Sequence, residues 1–328
     1  MTRSSPWFPI SLRRPGRRAS VGIVWLCVAI LITAAAVAQA PSDLLKDDAP
    51  GADEEPITPI PPPPAADPLK LALGERLFSD PRLSGSGKLA CSSCHDIRSN
   101  GARPNHSTVS RPFDTLTVFN ALLNFRLNWE ANFRSPADQA ASSLQNPVKM
   151  RSSVEDVVRK LNADPAVVDQ FRAAYGGEPN GERFLDALVT FERSLVTPGA
   201  RFDRWLLGDR SALSEVELEG YRLFKSLGCI SCHQGVNVGG NLVERQGIFH
   251  PLVEGPPETV RVPSLRNVAT TAPYFHDGSA ATLQDAVRRM ARSQLDRTLT
   301  DDDVESLVAF LRTLTGNYRG SPVAGARP

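Results

Sequence analysis

Cys91-Ser92-Ser93-Cys94-His95 and Cys229-Ile230-Ser231-Cys232-His233 are two copies of one five-residue pattern, and the rest of the chain is read from them. Cys-x-x-Cys-His is the attachment signature of a c-type haem: the two thiols add to the porphyrin vinyl groups and the adjacent histidine is held at the iron. One Cys-x-x-Cys alone could be a redox dithiol or half of a zinc site. Two copies, each followed by histidine, use every cysteine except Cys27, so no thiol is left to complete a zinc site. The chain reads as a carrier of two covalent haem c groups, held through Cys91, Cys94 and His95 and through Cys229, Cys232 and His233.

Outward from the motifs, the chain repeats itself. Gly74-Glu75-Arg76-Leu77-Phe78 precedes the first and Gly220-Tyr221-Arg222-Leu223-Phe224 the second; Thr117-Val118-Phe119-Asn120 follows the first and Ser264-Leu265-Arg266-Asn267 the second. Counting on from the shared asparagine without a gap sets Trp129 against His276, Glu130 against Asp277 and Asp138 against Asp285. Two homologous haem domains in tandem are the simplest account. The local patterns are helical. Ser214 with Glu217 forms a capping box before a Leu218, Tyr221, Phe224 stripe. Phe184, Leu188, Phe191 and Leu195 mark a helix near the junction. Thr300 caps a last helix carrying Val304, Leu307, Val308, Leu311 and Leu314, ended by Gly316. Long alternating β runs are absent. The expected fold is all-α: two tandem cytochrome c-like domains, 68–204 and 205–328.

Arg3, Arg13, Arg14, Arg17 and Arg18 precede an apolar run over residues 21–37 that ends in Ala38-Gln39-Ala40, the pattern of an export signal. Pro41 at the cleavage point and the length of the run keep an uncleaved anchor to the inner membrane open beside a cleaved signal peptide. Either way the body is exported, to the periplasm. Residues 41–67, with Pro61 to Pro64 in a row, read as an extended and largely disordered tether. The chain carries +1, and losing the five leader arginines leaves the body at about −4, with its basic residues scattered. Such a body is no nucleic-acid binder.

The axial positions opposite His95 and His233 have few candidates. The other histidines are His106, His250 and His276, and the methionines beyond Met1 are Met150 and Met290. Met290 stands on an expected helix with Leu283, Ala286 and Val287. A methionine on such a stripe is ordinarily core, but here the face looks at a haem, and His/Met ligation raises the potential. In the gap-free register its counterpart is Ser143, not Met150, so the first domain lacks that ligand. His106, in a Gly/Pro/Asn/Ser loop, or an open site remains. One haem is built to carry electrons; the other can bind a small molecule.

Taken together, these residues resemble the bacterial dihaem cytochrome c peroxidase family. The likeness runs from Leu71 to Gly316 through Leu77-Phe78-x-Asp80-Pro81-Arg82-Leu83-Ser84-Gly85-Ser86-Gly87, Asn146-Pro147-Val148-x-Met150, Val262-Pro263-Ser264-Leu265-Arg266-Asn267-Val268 and Tyr274-Phe275-His276-Asp277-Gly278. The resemblance implies reduction of hydrogen peroxide to water, with electrons from a small cytochrome c or copper protein. They enter at the His233/Met290 haem and pass to the peroxide-binding haem of His95. It implies that His106 caps the first haem until the other is reduced, that Trp129 relays electrons between them, and that Gln139 is a distal polar group. It further implies a calcium ion held by Asp114, Thr271 and Pro273, and leaves a homodimer open. Met290 speaks against the related dihaem enzyme of methylamine utilisation, which has tyrosine at that ligand position. One departure stands out: Lys149 occupies the place of the family's distal acid/base glutamate. An ammonium has no lone pair with which to take a proton from peroxide. A non-catalytic dihaem carrier or redox sensor, and a dihaem oxidase of another substrate, are the alternatives.

Overall fold

The computed structural model describes residues 55–102, 114–255 and 257–325; the leader and His106 lie outside them. Asp67 opens α1 (Pro68–Phe78): its carboxylate accepts from the N–H groups of Leu69 and Lys70, and Pro68 fills a first-turn position that needs no donor. Ser135 caps α2 (Pro136–Gln145), Ser153 caps α3 (Val154–Asn162), and Asp164 caps α4 (Pro165–Tyr175). Asn180 caps α5 (Gly181–Arg193), and the short α6 (Arg201–Leu206) follows. The second half contributes α7 (Glu215–Ser226), α8 (Leu283–Leu295) and α9 (Asp301–Arg312). Two small antiparallel ladders complete it: β1 (Val243–Arg245) with β2 (Thr259–Arg261), and β3 (Asn317–Tyr318) with β4 (Ser321–Pro322). The expected N-terminal caps are in place, whereas α9 closes on Thr313 short of the expected Gly316. Ser214 N–H donates to Glu217 Oε2 at 2.8 Å, and Thr300 N–H donates to Asp303 Oδ2 at 3.0 Å.

Each half is organised by one helix crossing at a glycine. In the first, α1 lies on α5 with Gly74 so close that a Cβ there would stand 2.1 Å from the Ala187 carbonyl oxygen; in the second, α7 lies on α9 and a Cβ on Gly220 would stand 1.9 Å from that of Ser306. The crossings place Phe191 and Phe310 at equivalent points, and both rings are fully buried. Full burial of such a side chain contributes roughly 1.5–3 kcal/mol.

The repeat register holds in the backbone. Asn120 and Asn267 both adopt the left-handed conformation, at φ 59° and 61°. Leu127 pairs with Phe133 as Tyr274 pairs with Ala280, and Ser135 and Thr282 cap α2 and α8. The two asparagines meet at Thr197, whose hydroxyl accepts from Asn120 Nδ2 at 2.8 Å and from Asn267 Nδ2 at 3.0 Å. This fully buried trio ties the two halves together.

The ends of the described chain cross over. Tyr318 and Val323 pack into the first half's core, Tyr318 against Phe119 with ring centroids 4.9 Å apart. Residues 55–60 pack on the second half, against the expectation of a disordered tether up to residue 67. Ile57 is fully buried in the second core, the Tyr221 hydroxyl donates to Glu55, and Arg266 donates to the Thr58 carbonyl at 2.8 Å. Composition misleads here because two isoleucines and a glutamate in a proline-rich run find partners only in tertiary structure. Phe202, Trp205 and Leu206 of α6 also belong to the second core, so the change of core falls ahead of residue 204. Among the described residues no helix is long and apolar enough to cross a membrane.

Candidate functional site

Both motifs fold alike. Cys91–Ser93 and Cys229–Ser231 form single 3₁₀ turns, and the histidine N–H closes each turn on the first cysteine's carbonyl, at 2.9 Å for His95 and 3.0 Å for His233. Each imidazole then turns its Nδ1 to a carbonyl: His95 to Gly101 at 3.3 Å, His233 to Val238 at 3.2 Å. A carbonyl can only accept, so Nδ1 carries the proton and Nε2 keeps a lone pair for a metal. Burial pulls both histidines down to about 4, which holds them neutral. Burial likewise pushes the Cys91 thiol up to about 12 and that of Cys229 to about 11. These thiols sit in the walls of apolar sites, and none of the four is in a disulfide.

The second site is a deep cavity with Cys229, Cys232 and His233 on one wall and Met290 of α8 on another, closed by Phe224, Leu227, Leu265, Leu283, Val287 and Leu311. Thiols, a neutral imidazole and a thioether around an apolar slot are the donor set and shape that a covalent haem c requires. His276 lines the same cavity, whereas His250 is half-exposed and bound through Nε2 to Asp296 Oδ1 at 2.8 Å.

In the first site the register sets Gln139 and Ser143 of α2 where Ala286 and Met290 line the second cavity. Gln139 Nε2 donates to Ser143 Oγ at 3.0 Å, a polar pair in place of a thioether. Met150 packs into the first core, and its carbonyl accepts from Gly85 N–H at 2.8 Å. Lys149 lies on the exposed turn after α2, near enough for its charge to help depress His95. His106 is outside the described residues.

Between the sites lies a pseudo-twofold contact. Asp114 N–H donates to the His276 carbonyl at 2.6 Å, and its register counterpart Arg261 donates from N–H to the Trp129 carbonyl at 2.7 Å. Trp129 and His276, also counterparts, meet edge to face with centroids 6.3 Å apart. Trp129 Nε1 donates to the Asp114 carbonyl at 2.9 Å, which fixes the indole on the cavity wall. Asp114, Thr271 and Pro273 line that wall too, after a cis Ala272-Pro273 bond.

Two charged residues here were not singled out from the sequence. Glu192 on α5 is the counterpart of Leu311 on α9, and burial raises its carboxyl to about 7. Its spacing after Leu188 on the apolar stripe is the signal that marks it. Arg261 is buried with Nη1 of its guanidinium unsatisfied, and its alignment with Asp114 was available once the repeat was set.

The family model for "Di-haem cytochrome c peroxidase" matches residues 68–211, and that for "Cytochrome c" matches 218–315. The chain is 39% identical over 286 residues to cytochrome c551 peroxidase of Nitrosomonas europaea, covering 81% of this chain and 86% of that protein. It is 38% identical to cytochrome c551 peroxidase of Pseudomonas aeruginosa, covering 74% and 78%, and 34% identical to the methylamine utilization protein MauG of Methylorubrum extorquens, covering 77% and 81%. Among solved structures, a MauG-like protein associated with microbial copper homeostasis superposes with a TM-score of 0.67 at 26% identity, covering 78% of this chain and 93% of that one. With two Cys-x-x-Cys-His turns set in two helical domains of one repeat, the chain belongs to the bacterial di-haem cytochrome c peroxidase and MauG-like family of oxidoreductases.

Proposed function

We propose that this protein reduces hydrogen peroxide to water in the periplasm. A small cytochrome c or copper protein supplies two electrons, one at a time, to the second haem site, from which they reach the first. The observation that carries this reading is the difference at one register position. Met290 faces the second cavity, while Ser143, bonded to Gln139, stands at the equivalent point of the first. When bound, haem supplies the electron storage and the iron at which peroxide is cleaved.

The protein's own groups divide the remaining tasks. His95 and His233 would hold the two irons through Nε2, and Met290 would give the second a soft ligand that favours the reduced state. Trp129, whose Nε1 donates to the Asp114 carbonyl on the cavity wall, would relay electrons from the second site to the first. Asp114, Thr271 and Pro273 line the same cavity wall, and by the resemblance their oxygens would hold a calcium ion. By the resemblance, His106, outside the described residues, is the group that would cap the first iron, and Gln139 would orient the incoming peroxide. Two protons are consumed with the two electrons, and Lys149 can donate one but, while charged, cannot accept one.

Lys149 favours a second reading, a dihaem electron carrier or redox sensor that binds peroxide and cleaves it slowly. Steady-state peroxide turnover by pre-reduced protein, with a reduced small cytochrome as donor, separates the two. Turnover saturating in both peroxide and donor supports the peroxidase; donor oxidation no faster than without protein leaves the carrier.

A further inference from the structure

Arg261 ends β2 as the register counterpart of Asp114, and the two main chains do the same work: each N–H bridges to a carbonyl of the opposite half. That contact is made equally well by an aspartate, so it does not call for a guanidinium. Yet the side chain is only 4% exposed. Its Nε donates to the Asn128 carbonyl at 2.9 Å, and Nη1 has no hydrogen-bond partner. Among the described residues no carboxylate pairs with it, and burial alone acts on it, pulling it down to about 10. A buried, unpaired cation is stable only where an anion completes it.

Where the guanidinium sits says which anion. Arg261 lines the same cavity as His233 and Met290, on the side of Trp129. The walls around it are mainly apolar, so the cavity accepts a large flat apolar body carrying acid at one edge. A guanidinium fork matches a carboxylate in shape as well as charge. We propose that Arg261 is the anchor for a carboxylate edge group of the second haem, and that its fixed positive charge beside that haem raises its potential above that of the first. The register counterpart of Arg261 in the first half is Asp114, so the charge at this point of the repeat is inverted, and both residues line this one cavity. Arg261's role depends on haem being held at Cys229, Cys232 and His233; it does not depend on peroxide turnover.

The test is redox titration of the holoprotein, following each haem optically, with resonance Raman of the propionate bending modes. Arg261→Met should lower the midpoint potential of the methionine-ligated haem and shift its propionate band, leaving the first haem's potential unchanged. Arg261→Lys should keep most of the potential, and Arg261→Gln, which retains a donor for Asn128, should behave like Arg261→Met if that variant does not assemble. A neutral variant with wild-type potential and wild-type propionate band overturns the assignment. A wild-type chain that carries one haem, by pyridine haemochrome against protein mass, overturns both the assignment and the haem reading beneath it.

Discussion

The two halves of this protein share a set of matched elements, although α3 and α4 have no counterpart in the second half and β1 with β2 none in the first, and at the matched positions they differ in a handful of side chains. Both have a helix crossing at glycine, a left-handed asparagine, a 3₁₀ haem turn, and a capped helix running past the site. At matched positions the first half has Ser143, Gln139, Glu192 and Asp114 where the second has Met290, Ala286, Leu311 and Arg261. The first half is thereby more polar at these positions, and the second more apolar, with Met290 and the buried Arg261 on its cavity wall. Matched elements thus carry different side chains at equivalent points, while the connections between those elements differ in length.

The largest expected effect comes from erasing the ligand difference. Met290→His should remove the methionine-ligated spectrum and lower the second haem's potential by a sizeable part of the ~0.8 V that axial ligands span, leaving the first haem's spectrum intact. If Met150→Leu removed that spectrum instead, the match of Met290 with Ser143 would be wrong.

Next is the acid/base departure that the resemblance implies at Lys149. Lys149→Glu puts a carboxylate on the turn whose charge already acts on His95, and should raise peroxide turnover at least about tenfold, up to the ~10²–10⁴ that such assistance contributes. A fast wild type that the substitution slows would mean that Lys149 is itself tuned for the reaction or stands outside the pocket.

The shared features should respond alike. Gly74→Ala and Gly220→Ala each drive a Cβ into a carbonyl of the crossing helix, and each should cost about 1–3 kcal/mol in denaturant titrations. A cost in one half only would show that the two crossings are not equivalent.

The smallest effect is on pH dependence. The carboxyl of Glu192, ordinarily at 4.5, is raised to about 7 by burial. A carboxyl raised on folding adds stability below its unfolded value, and that contribution is lost as pH climbs through the folded one. Glu192→Gln should therefore be more stable than wild type at pH 8 by about 1–3 kcal/mol, with the advantage gone near pH 4. Thermal melts at the two pH values read this directly, and an advantage independent of pH would contradict it.

The haem motifs, the repeat and the caps at Ser214 and Thr300 were legible because each depends on neighbours in sequence. The ordering of residues 55–60 was not, since Ile57 and Glu55 are held by Tyr221 and other residues far along the chain. Nor was the exchange of terminal segments, because Tyr318 and Val323 read as ordinary tail residues until Phe119 lies against Tyr318. Arg261 and Glu192 escaped for a related reason. A charged residue is normally exposed, and only tertiary burial makes it informative.

The division of labour between the halves is tested most directly by an optical redox titration of wild type, with peroxide added at each stage. One haem should reduce first, at the higher potential and with a methionine-ligated ferrous spectrum. The half-reduced protein should then react with peroxide at the other haem. Two haems that titrate together with the same ligation, or peroxide reacting at the methionine-ligated haem, would contradict it.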